Sequence, residues 1–270
     1  MIDLCGAKPV FVDTCQPDGF IIRPENLGTV LTDQTRCLLL CAPSNPTGAI
    51  YPPETLMEIA CILRRYRQIW VVTDDLYEHI IYDGKKFTTL LEIAPDLTDR
   101  TIVVNGVSKA FAMTGWRIGY AGGPGMLING VRKIMTQATG CPSSISQIAA
   151  IAALVGPLDS VRQFVKTYQA RRDRSIPALN RIPGIDCHLP KGAFYLYPSC
   201  QGIIGKRRPN GRLINSSRDF AEYLQEDYSV AVVPGRAFEL DPHIRISMAT
   251  GNVIIDEGLE QISKAVLRLQ

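Results

Sequence analysis

Histidine and tryptophan are scarce in this chain, whose 270 residues include three histidines and two tryptophans. The histidines (His79, His188 and His243) do not cluster, and none of the eight cysteines forms a Cys-x-x-Cys pair. The sequence therefore predicts no metal site, and its scattered cysteines are typical of free thiols in a reducing compartment. No apolar run reaches membrane-spanning length, and we expect neither a signal peptide nor a membrane partner. A cytoplasmic protein is the expectation.

An excess of charge of one sign is also lacking. The chain carries 29 Lys and Arg residues against 26 Asp and Glu residues, for a net charge of +3. Its densest basic run, Lys206-Arg207-Arg208, lies between glycines and a proline in a predicted loop. We therefore expect no nucleic-acid partner. Hydrophobic residues make up 46% of the chain, which is typical of a globular protein with a proper core.

Strand-like and helical segments alternate through the first part of the chain, which predicts an α/β fold with a mostly parallel sheet and helices on its faces. We place a large domain at 1–176 and a smaller α+β domain at 177–270, because Pro177 should kink or end a long helix. Predicted strands are 9–13, 37–42, 69–73, 101–105, 117–121, 194–197, 229–233 and 244–248. Predicted helices are 53–66, 126–139, 143–155, 158–181, 217–226 and a last one from Asp256.

Lys109 follows the predicted strand 101–105 and is surrounded by apolar and small residues. Loss of hydration disfavours the ammonium form of a lysine, so its amine becomes available for covalent chemistry. Arg117 follows eight residues later and supplies a planar, permanently charged group that binds phosphate. An imine-forming lysine with a phosphate-binding arginine is what pyridoxal phosphate requires. Taken alone, however, such a lysine is more often a solvated surface charge.

Three further polar side chains follow the carboxyl ends of predicted strands. Asn45 lies in the turn after 37–42, and Asp74 and Tyr77 follow 69–73. Ligands of open α/β sheets bind outside the carboxyl ends of the strands, so this shared placement predicts one site with Lys109. Each residue also has an ordinary structural explanation, as a turn residue, a helix cap or a half-buried tyrosine.

The sequence resembles the class I aminotransferases of pyridoxal phosphate fold type I, and within them the bacterial aspartate aminotransferases. The similarity runs over essentially the whole chain, in order and spacing. The stretches that carry it are Ser44–Gly48, Asp74–His79, Asn105–Ala110 and Met113–Tyr120, with weaker matches at Gly192–Tyr195 and Arg245–Ser247.

The resemblance implies roles for the four residues around the cofactor ring. Lys109 forms the covalent imine with pyridoxal phosphate, and Asp74 pairs with the pyridine nitrogen. Tyr77 and Asn45 bond the 3-oxygen of the ring. A buried carboxylate in this position keeps the nitrogen protonated, so that the ring can accept electrons.

The resemblance also implies which groups bind the phosphate and the substrate. Arg117 and Ser108 hold the phosphate, and Arg245 binds the substrate α-carboxylate, which a guanidinium meets with two parallel hydrogen bonds. Lys109 belongs to the predicted large domain and Arg245 to the small one. A substrate bound by both would lie between the domains, where the small domain could close on it.

The family resemblance implies an aminotransferase that exchanges an amino group between an L-amino acid and a 2-oxo acid. Aspartate and 2-oxoglutarate are the expected pair, with prephenate or aromatic substrates as alternatives. A homodimer is the expected assembly. A β-lyase of the same fold type is a second enzymatic hypothesis, because the motif around Lys109 is shared among such enzymes.

The family's N-terminal region is missing from this sequence, which we expect to be a truncated form. That region carries a glycine-rich loop for the phosphate, an aromatic residue stacked on the ring and a tyrosine that reaches the partner's site. A third hypothesis is therefore a catalytically incompetent fragment, or a subunit that needs a separate N-terminal piece. Strands left at the edge of such an incomplete sheet would be prone to pair with other chains.

Overall fold

The computed structural model describes residues 2–270, so Met1, the first residue of the predicted large domain, lies outside the described residues. Internal contacts divide the chain into two units. Unit 1 comprises the residues up to Pro43 and the segment Ala49–Gln163, and unit 2 comprises Ser44–Gly48 and Phe164–Gln270. The change between the two units falls at 163/164. The domain boundary at 176/177 stays a prediction.

Unit 1 is organised around a four-stranded sheet. Its strands are β1 (Cys37–Cys41), β2 (Trp70–Asp74), β3 (Thr101–Gly106) and β4 (Gly119–Gly122), and they lie side by side in that order. The first three pair in parallel, and β4 pairs antiparallel with β3. Because β1, β2 and β3 run the same way, their carboxyl ends meet at one edge of the sheet. The predicted α/β fold with a mostly parallel sheet is confirmed.

The helices of unit 1 are α1 (Pro24–Val30), α2 (Pro53–Arg65), α3 (Leu90–Ile93), α4 (Gly125–Ala138) and α5 (Ser144–Val155). Among them, α2 packs against the sheet through an apolar face. On α2, Leu56, Ile59 and Leu63 recur at helical spacing and are fully or almost fully buried. They join Leu38 and Val71 of the strands in one apolar cluster. Burial of this stripe fixes α2 against the sheet.

Unit 2 contains a second, smaller sheet with helices packed against it. Its helices are α6 (Asp159–Asn180), which begins within unit 1, α7 (Ser217–Tyr228) and α8 (Asn252–Leu267). Its strands are β5 (Tyr195–Leu196), β6 (Val233–Pro234) and β7 (Ile244–Ser247). The strands pair antiparallel in the order β5-β7-β6. Leu196 of β5, Phe220 of α7, Ile244 of β7 and Leu259 of α8 belong to one core.

The predicted helix 158–181 is confirmed as α6 (Asp159–Asn180), with Pro177 inside it. Three other predicted elements differ from the structure. Residues 9–13 form no strand. The strand predicted at 229–233 is reduced to Val233–Pro234, because Ser229 ends α7 in the left-handed conformation with φ 56°. The last helix begins at Asn252, four residues before the predicted Asp256, and Gly251 is its N-cap.

Three further features concern the thiols, the possible metal ligands and the length of the helices. All eight cysteines are free thiols. Within residues 2–270, no group of three or more His, Cys, Asp or Glu side chains is arranged to hold a metal ion. In the same part of the chain, no single helix has the length and apolar character to cross a membrane. The pair α5 and α6, bent by 80°, meets those two criteria only when the two helices are taken together.

Candidate active site

The carboxyl end of β2 carries Asp74, which is the last residue of the strand and lies between Cys41 of β1 and Val104 of β3. One carboxylate oxygen of Asp74 accepts the backbone N–H of Leu76 at 3.2 Å. This bond begins the turn 75–79, in which Tyr77 is 3% exposed. The strand end and its turn therefore place a carboxylate and a buried tyrosine in succession at the edge predicted for the site.

Asp75, the neighbour of Asp74, is a buried carboxyl that sequence reasoning did not assign. Asp75 is 5% exposed. Burial raises the pKa of Asp75 to about 6, and the negative charge of Glu78 adds to the effect. Its backbone N–H donates to Val104 and its carbonyl accepts from Glu78, so Asp75 anchors the turn that contains Tyr77.

The buried Asp75 gives a prediction for stability against pH. Its pKa is near 3.9 in an unfolded chain and about 6 in the folded one, so its contribution to the free energy of unfolding is greatest at low pH. That contribution falls as the pH rises from about 4 through 6, by up to roughly 3 kcal/mol. The variant Asp75→Asn, which does not titrate, should lack this fall. Urea unfolding at pH 4 and pH 7 measures it.

The exposed Asp99 supplies the control for this comparison. The variant Asp99→Asn should follow the pH dependence of the unchanged protein. If Asp75→Asn and Asp99→Asn gave the same change in unfolding free energy between pH 4 and pH 7, burial of Asp75 would not be the source of the effect.

Lys109 and Arg117 lie on one loop, which connects the antiparallel strands β3 and β4. The loop is closed at its base, where Val107 donates to the carbonyl of Ile118 at 3.3 Å. Both of these residues are buried and pack with Ala150 of α5. The hairpin geometry thus explains why a lysine and an arginine eight residues apart belong to one structural feature.

A close backbone approach at the base of this loop restricts position 106. A Cβ atom on Gly106 would lie 2.9 Å from the carbonyl oxygen of Ile118, so glycine is the residue that fits. Arg117 itself has φ 57°, in the left-handed region. Its guanidinium is exposed and donates to the carbonyl of Thr114 at 3.0 Å. One of its five donors is used in this way, and the group suits an anionic ligand.

The Lys109 ammonium lies 5.8 Å from the centre of the Tyr77 ring. Lys109 is half-buried, as is Ser108 before it, whereas Tyr77 is buried. The turn after β3 and the turn after β2 therefore meet, and the amine stands over an aromatic face within cation–π range. This contact is the geometric link between two of the motifs on which the sequence prediction rests.

Asn105 holds these two turns together and was not assigned a role from the sequence. Its side-chain amide donates to the Glu78 carboxylate at 2.6 Å, and its side-chain oxygen accepts the N–H of Gly106 at 2.7 Å. An asparagine is unfavourable in a strand unless its polar atoms are bonded. The sequence signal that could have revealed this role was an asparagine at the end of the predicted apolar strand 101–105.

In unit 2, Asn45 lies in a turn that packs beside the segment before β5. Gly48 closes the turn with φ 68°, and its carbonyl accepts the N–H groups of Lys191 and Gly192. A Cβ atom on Gly48 would lie 2.5 Å from the Gly192 carbonyl oxygen, so the turn depends on glycine here. These bonds explain why Ser44–Gly48 belongs to unit 2.

Arg245 of β7 is oriented by Asn45. Its Nη1 donates to the Asn45 Oδ1 atom at 2.8 Å. This bond occupies the oxygen of the Asn45 amide, so the NH₂ group of Asn45 remains a donor toward other partners. The Arg245 Nε atom is buried and has no hydrogen-bond partner among residues 2–270. A buried donor without a partner is costly, and an incoming carboxylate would satisfy it.

The predicted site residues are thus distributed over both units. Five of them (Asp74, Tyr77, Ser108, Lys109 and Arg117) belong to unit 1, on two turns and one loop. Asn45 and Arg245 belong to unit 2, where they bond each other. Their roles toward a ligand stay predictions.

The donor set of unit 1 fits pyridoxal phosphate. A carboxylate suits the pyridinium nitrogen, an amine over an aromatic ring suits the aldehyde, and a guanidinium with a hydroxyl suits the phosphate. The sheet is mostly parallel, a lysine-bearing loop follows one strand, and a carboxylate ends the neighbouring strand. These features are typical of the fold type I class of pyridoxal phosphate-dependent transferases.

Within that class, the chain belongs to the aminotransferase class I and II family, whose family model matches residues 1–262. The family membership inferred from the motifs is confirmed. The chain is 47% identical over 269 residues to an aspartate aminotransferase of Rhizobium meliloti (strain 1021), and the match covers 100% of this chain and 66% of that relative. It is 44% identical over 262 residues to an aspartate/prephenate aminotransferase of Cereibacter sphaeroides, covering 97% of this chain and 66% of the relative.

Solved structures show the same similarity. The crystal structure of an aspartate aminotransferase from Rhizobium meliloti matches with a TM-score of 0.95 at 47% identity, covering 100% of this chain and 67% of that one. An aromatic aminotransferase from Pyrococcus horikoshii matches with a TM-score of 0.88 at 35% identity, covering 98% and 69%. The chain thus spans about two thirds of the length of the relatives that it matches.

Proposed function

We propose that the chain acts in amino transfer between aspartate and 2-oxoglutarate, with pyridoxal phosphate as its cofactor. The single observation that carries this proposal is the Lys109 amine 5.8 Å from the Tyr77 ring centre, beside the strand that ends at Asp74. The similarity to an aspartate aminotransferase and an aspartate/prephenate aminotransferase supports the reaction and the substrate.

Pyridoxal phosphate, when bound, supplies a ring that takes up the electrons released at the substrate α-carbon. The remaining work falls to this chain's own residues. The Lys109 amine anchors the cofactor, and it acts as the general base that accepts the α-proton once substrate has displaced it. The Asp74 carboxylate keeps a proton on the pyridine nitrogen through charge and a hydrogen bond.

The other proposed roles concern binding and orientation. The Tyr77 hydroxyl and the Asn45 NH₂ group donate to the ring 3-oxygen. Ser108 and Arg117 bind the phosphate. Arg245 binds the substrate α-carboxylate, and its orphaned Nε atom supports that role.

Arg245 gives a direct test of the substrate-binding role. The variant Arg245→Gln should lower kcat/KM for aspartate by about 100-fold or more, because a buried charge-assisted hydrogen-bond pair is lost. Binding of pyridoxal phosphate, followed by its absorbance, should be retained. A coupled assay with aspartate and 2-oxoglutarate measures the effect, and the exposed Arg236, changed to Gln, is the control.

The same assay separates the proposal from its alternatives. Amino transfer by the unchanged chain with pyridoxal phosphate supports it. In a parallel assay with a cysteine thioether, cleavage of the Cβ–S bond with release of a thiol, pyruvate and ammonia, and no amino transfer, would instead indicate a β-lyase. Cofactor binding without turnover would favour an incompetent fragment or a subunit that needs a further piece. Equal kcat/KM in the Arg245→Gln and Arg236→Gln variants would contradict the proposed role of Arg245 in binding the substrate carboxylate.

A homodimer is the proposed assembly, supported by an apolar surface on α4 and α5. None of the residues of α4, all of which the structure describes, is buried. Met126 and Ile134 are 70% and 69% exposed, and Ile145 and Ile148 of α5 are 73% and 68% exposed. Several large apolar side chains exposed on neighbouring segments of the chain are consistent with a protein interface. Sedimentation equilibrium should give twice the 29.8 kDa chain mass; a monomer at every concentration would contradict the proposal.

A further inference from the structure

Arg245 lies against two aromatic rings of unit 2. Its guanidinium carbon is 4.5 Å from the centre of the Tyr195 ring and 5.1 Å from that of Phe238. Both distances are within the cation–π range, and each ring offers its negative face to the cation. Among residues 2–270, no carboxylate forms an ion pair with Arg245, and its guanidinium donates a hydrogen bond to the amide oxygen of Asn45. The cation is therefore held by groups that do not neutralise it.

Strand pairing explains why Tyr195 meets Arg245. In the antiparallel pair β5–β7, Tyr195 is opposite Ser247. Residues two apart on a strand point to the same face, so Arg245 is the diagonal neighbour of Tyr195, within reach of a long side chain. Tyr195 is 6% exposed, and burial fixes its ring.

The other ring is placed by the tight turn after β6. A Cβ atom on Gly235 would lie 2.3 Å from the carbonyl oxygen of Leu240, so glycine is required for the turn to close. Phe238 ends this turn and meets Tyr197 edge to face, with ring centres 6.0 Å apart. The Tyr197 hydroxyl donates to the Leu240 carbonyl at 3.1 Å. The Phe238 ring therefore packs against Tyr197, whose hydroxyl is itself fixed by this hydrogen bond.

We propose that Tyr195 and Phe238 are positioning residues that hold the Arg245 guanidinium, still uncompensated in charge, for a substrate carboxylate. The inference deepens the proposed function and rests on the carboxylate-binding role given there to Arg245. An aspartate or glutamate in place of these rings would anchor the arginine equally well, but it would compete with the carboxylate of the substrate. Aromatic faces fix the cation and leave its buried Nε donor for the ligand.

The ring and the hydroxyl of Tyr195 can be separated by substitution. Tyr195→Phe retains the ring and Tyr195→Leu removes it, and Phe238→Leu removes the second ring at a less buried position. Circular dichroism and thermal unfolding establish that each variant is folded. If Tyr195→Leu fails to fold, Phe238→Leu still tests the proposal.

The first measurement does not depend on activity. The full chain and its variants are treated with phenylglyoxal, which modifies accessible arginines, and the rate at Arg245 is followed by peptide mass spectrometry. Removal of a ring should raise this rate about threefold to tenfold, as expected for the loss of one cation–π contact. Tyr195→Phe should stay within about twofold of the unchanged chain. Rates at the exposed Arg236 serve as the internal reference.

The second measurement concerns the carboxylate. In steady-state amino transfer, Tyr195→Leu and Phe238→Leu should raise KM for aspartate about fivefold to tenfold with little change in kcat. Equal labelling rates at Arg245 in the unchanged chain and both leucine variants would overturn the proposal. If the unchanged chain showed no amino transfer, this result would contradict only the proposed function. The labelling rates would still decide whether the two rings hold Arg245.

Discussion

Replacing Lys109 with alanine is expected to lower kcat for amino transfer by about 10⁴-fold or more, because the variant would lose both the amine proposed to anchor the cofactor and the base proposed to move the α-proton. The structure gives the reason for this size of effect. Lys109 is half-buried on the loop between β3 and β4, and its amine lies 5.8 Å from the Tyr77 ring centre.

Single-turnover absorbance with pyridoxal phosphate and aspartate measures this loss. Lys109→Arg keeps the positive charge without the nucleophilic amine, so it should be as inactive as Lys109→Ala. The exposed Lys86, changed to alanine, is the control and should retain activity. A Lys109→Arg variant with near-normal turnover would show that charge, and not the amine, is what the reaction needs at this position.

The second large effect is expected for Asp74→Ala, with turnover falling about 10²-fold to 10⁴-fold. In the proposed function, the carboxylate at the end of β2 would hold the proton on the pyridine nitrogen, and a fixed charge of this kind contributes several kcal/mol to the transition state. The variant should still attach the cofactor through Lys109, because that step does not depend on the ring's capacity to take up electrons. A loss of kcat with retained cofactor binding is therefore the expected pattern.

Asp74→Asn refines this test, since it keeps the shape and the hydrogen bond with Leu76 while it removes the charge. It should lose most of the turnover that Asp74→Ala loses. The exposed Asp99, changed to alanine, should leave turnover unchanged. If Asp74→Asn kept the turnover of the unchanged chain, the carboxylate would not be the group that protonates the ring.

The sequence predicted the strands that carry the site, because each is a short, mostly apolar run of strand length. The helix predicted at 158–181 is likewise observed, at Asp159–Asn180. The prediction failed at 9–13, where an apolar run occurs without a strand, since strand formation depends on a paired neighbour that local pattern does not report. Tertiary context decided this case.

The candidate residues were found because their chemistry follows strand ends, whereas their supports were missed. The bond from Asn105 to Glu78 joins segments 27 residues apart, and the bond from Arg245 to Asn45 joins segments 200 residues apart. The contact of Phe238 with Arg245 depends on the register of β6 and β7. Such contacts follow from topology and strand register, which hydrophobic periodicity in one sequence cannot specify.

Covalent trapping tests the central claim, that the Lys109 amine bonds the cofactor, most directly. The purified chain is mixed with pyridoxal phosphate, reduced with borohydride, digested and mapped by mass spectrometry. We expect the reduced pyridoxyl group on the peptide that contains Lys109, in about one copy per chain, with little label on the exposed Lys86. Label spread evenly over surface lysines, or absent from Lys109, would contradict the account.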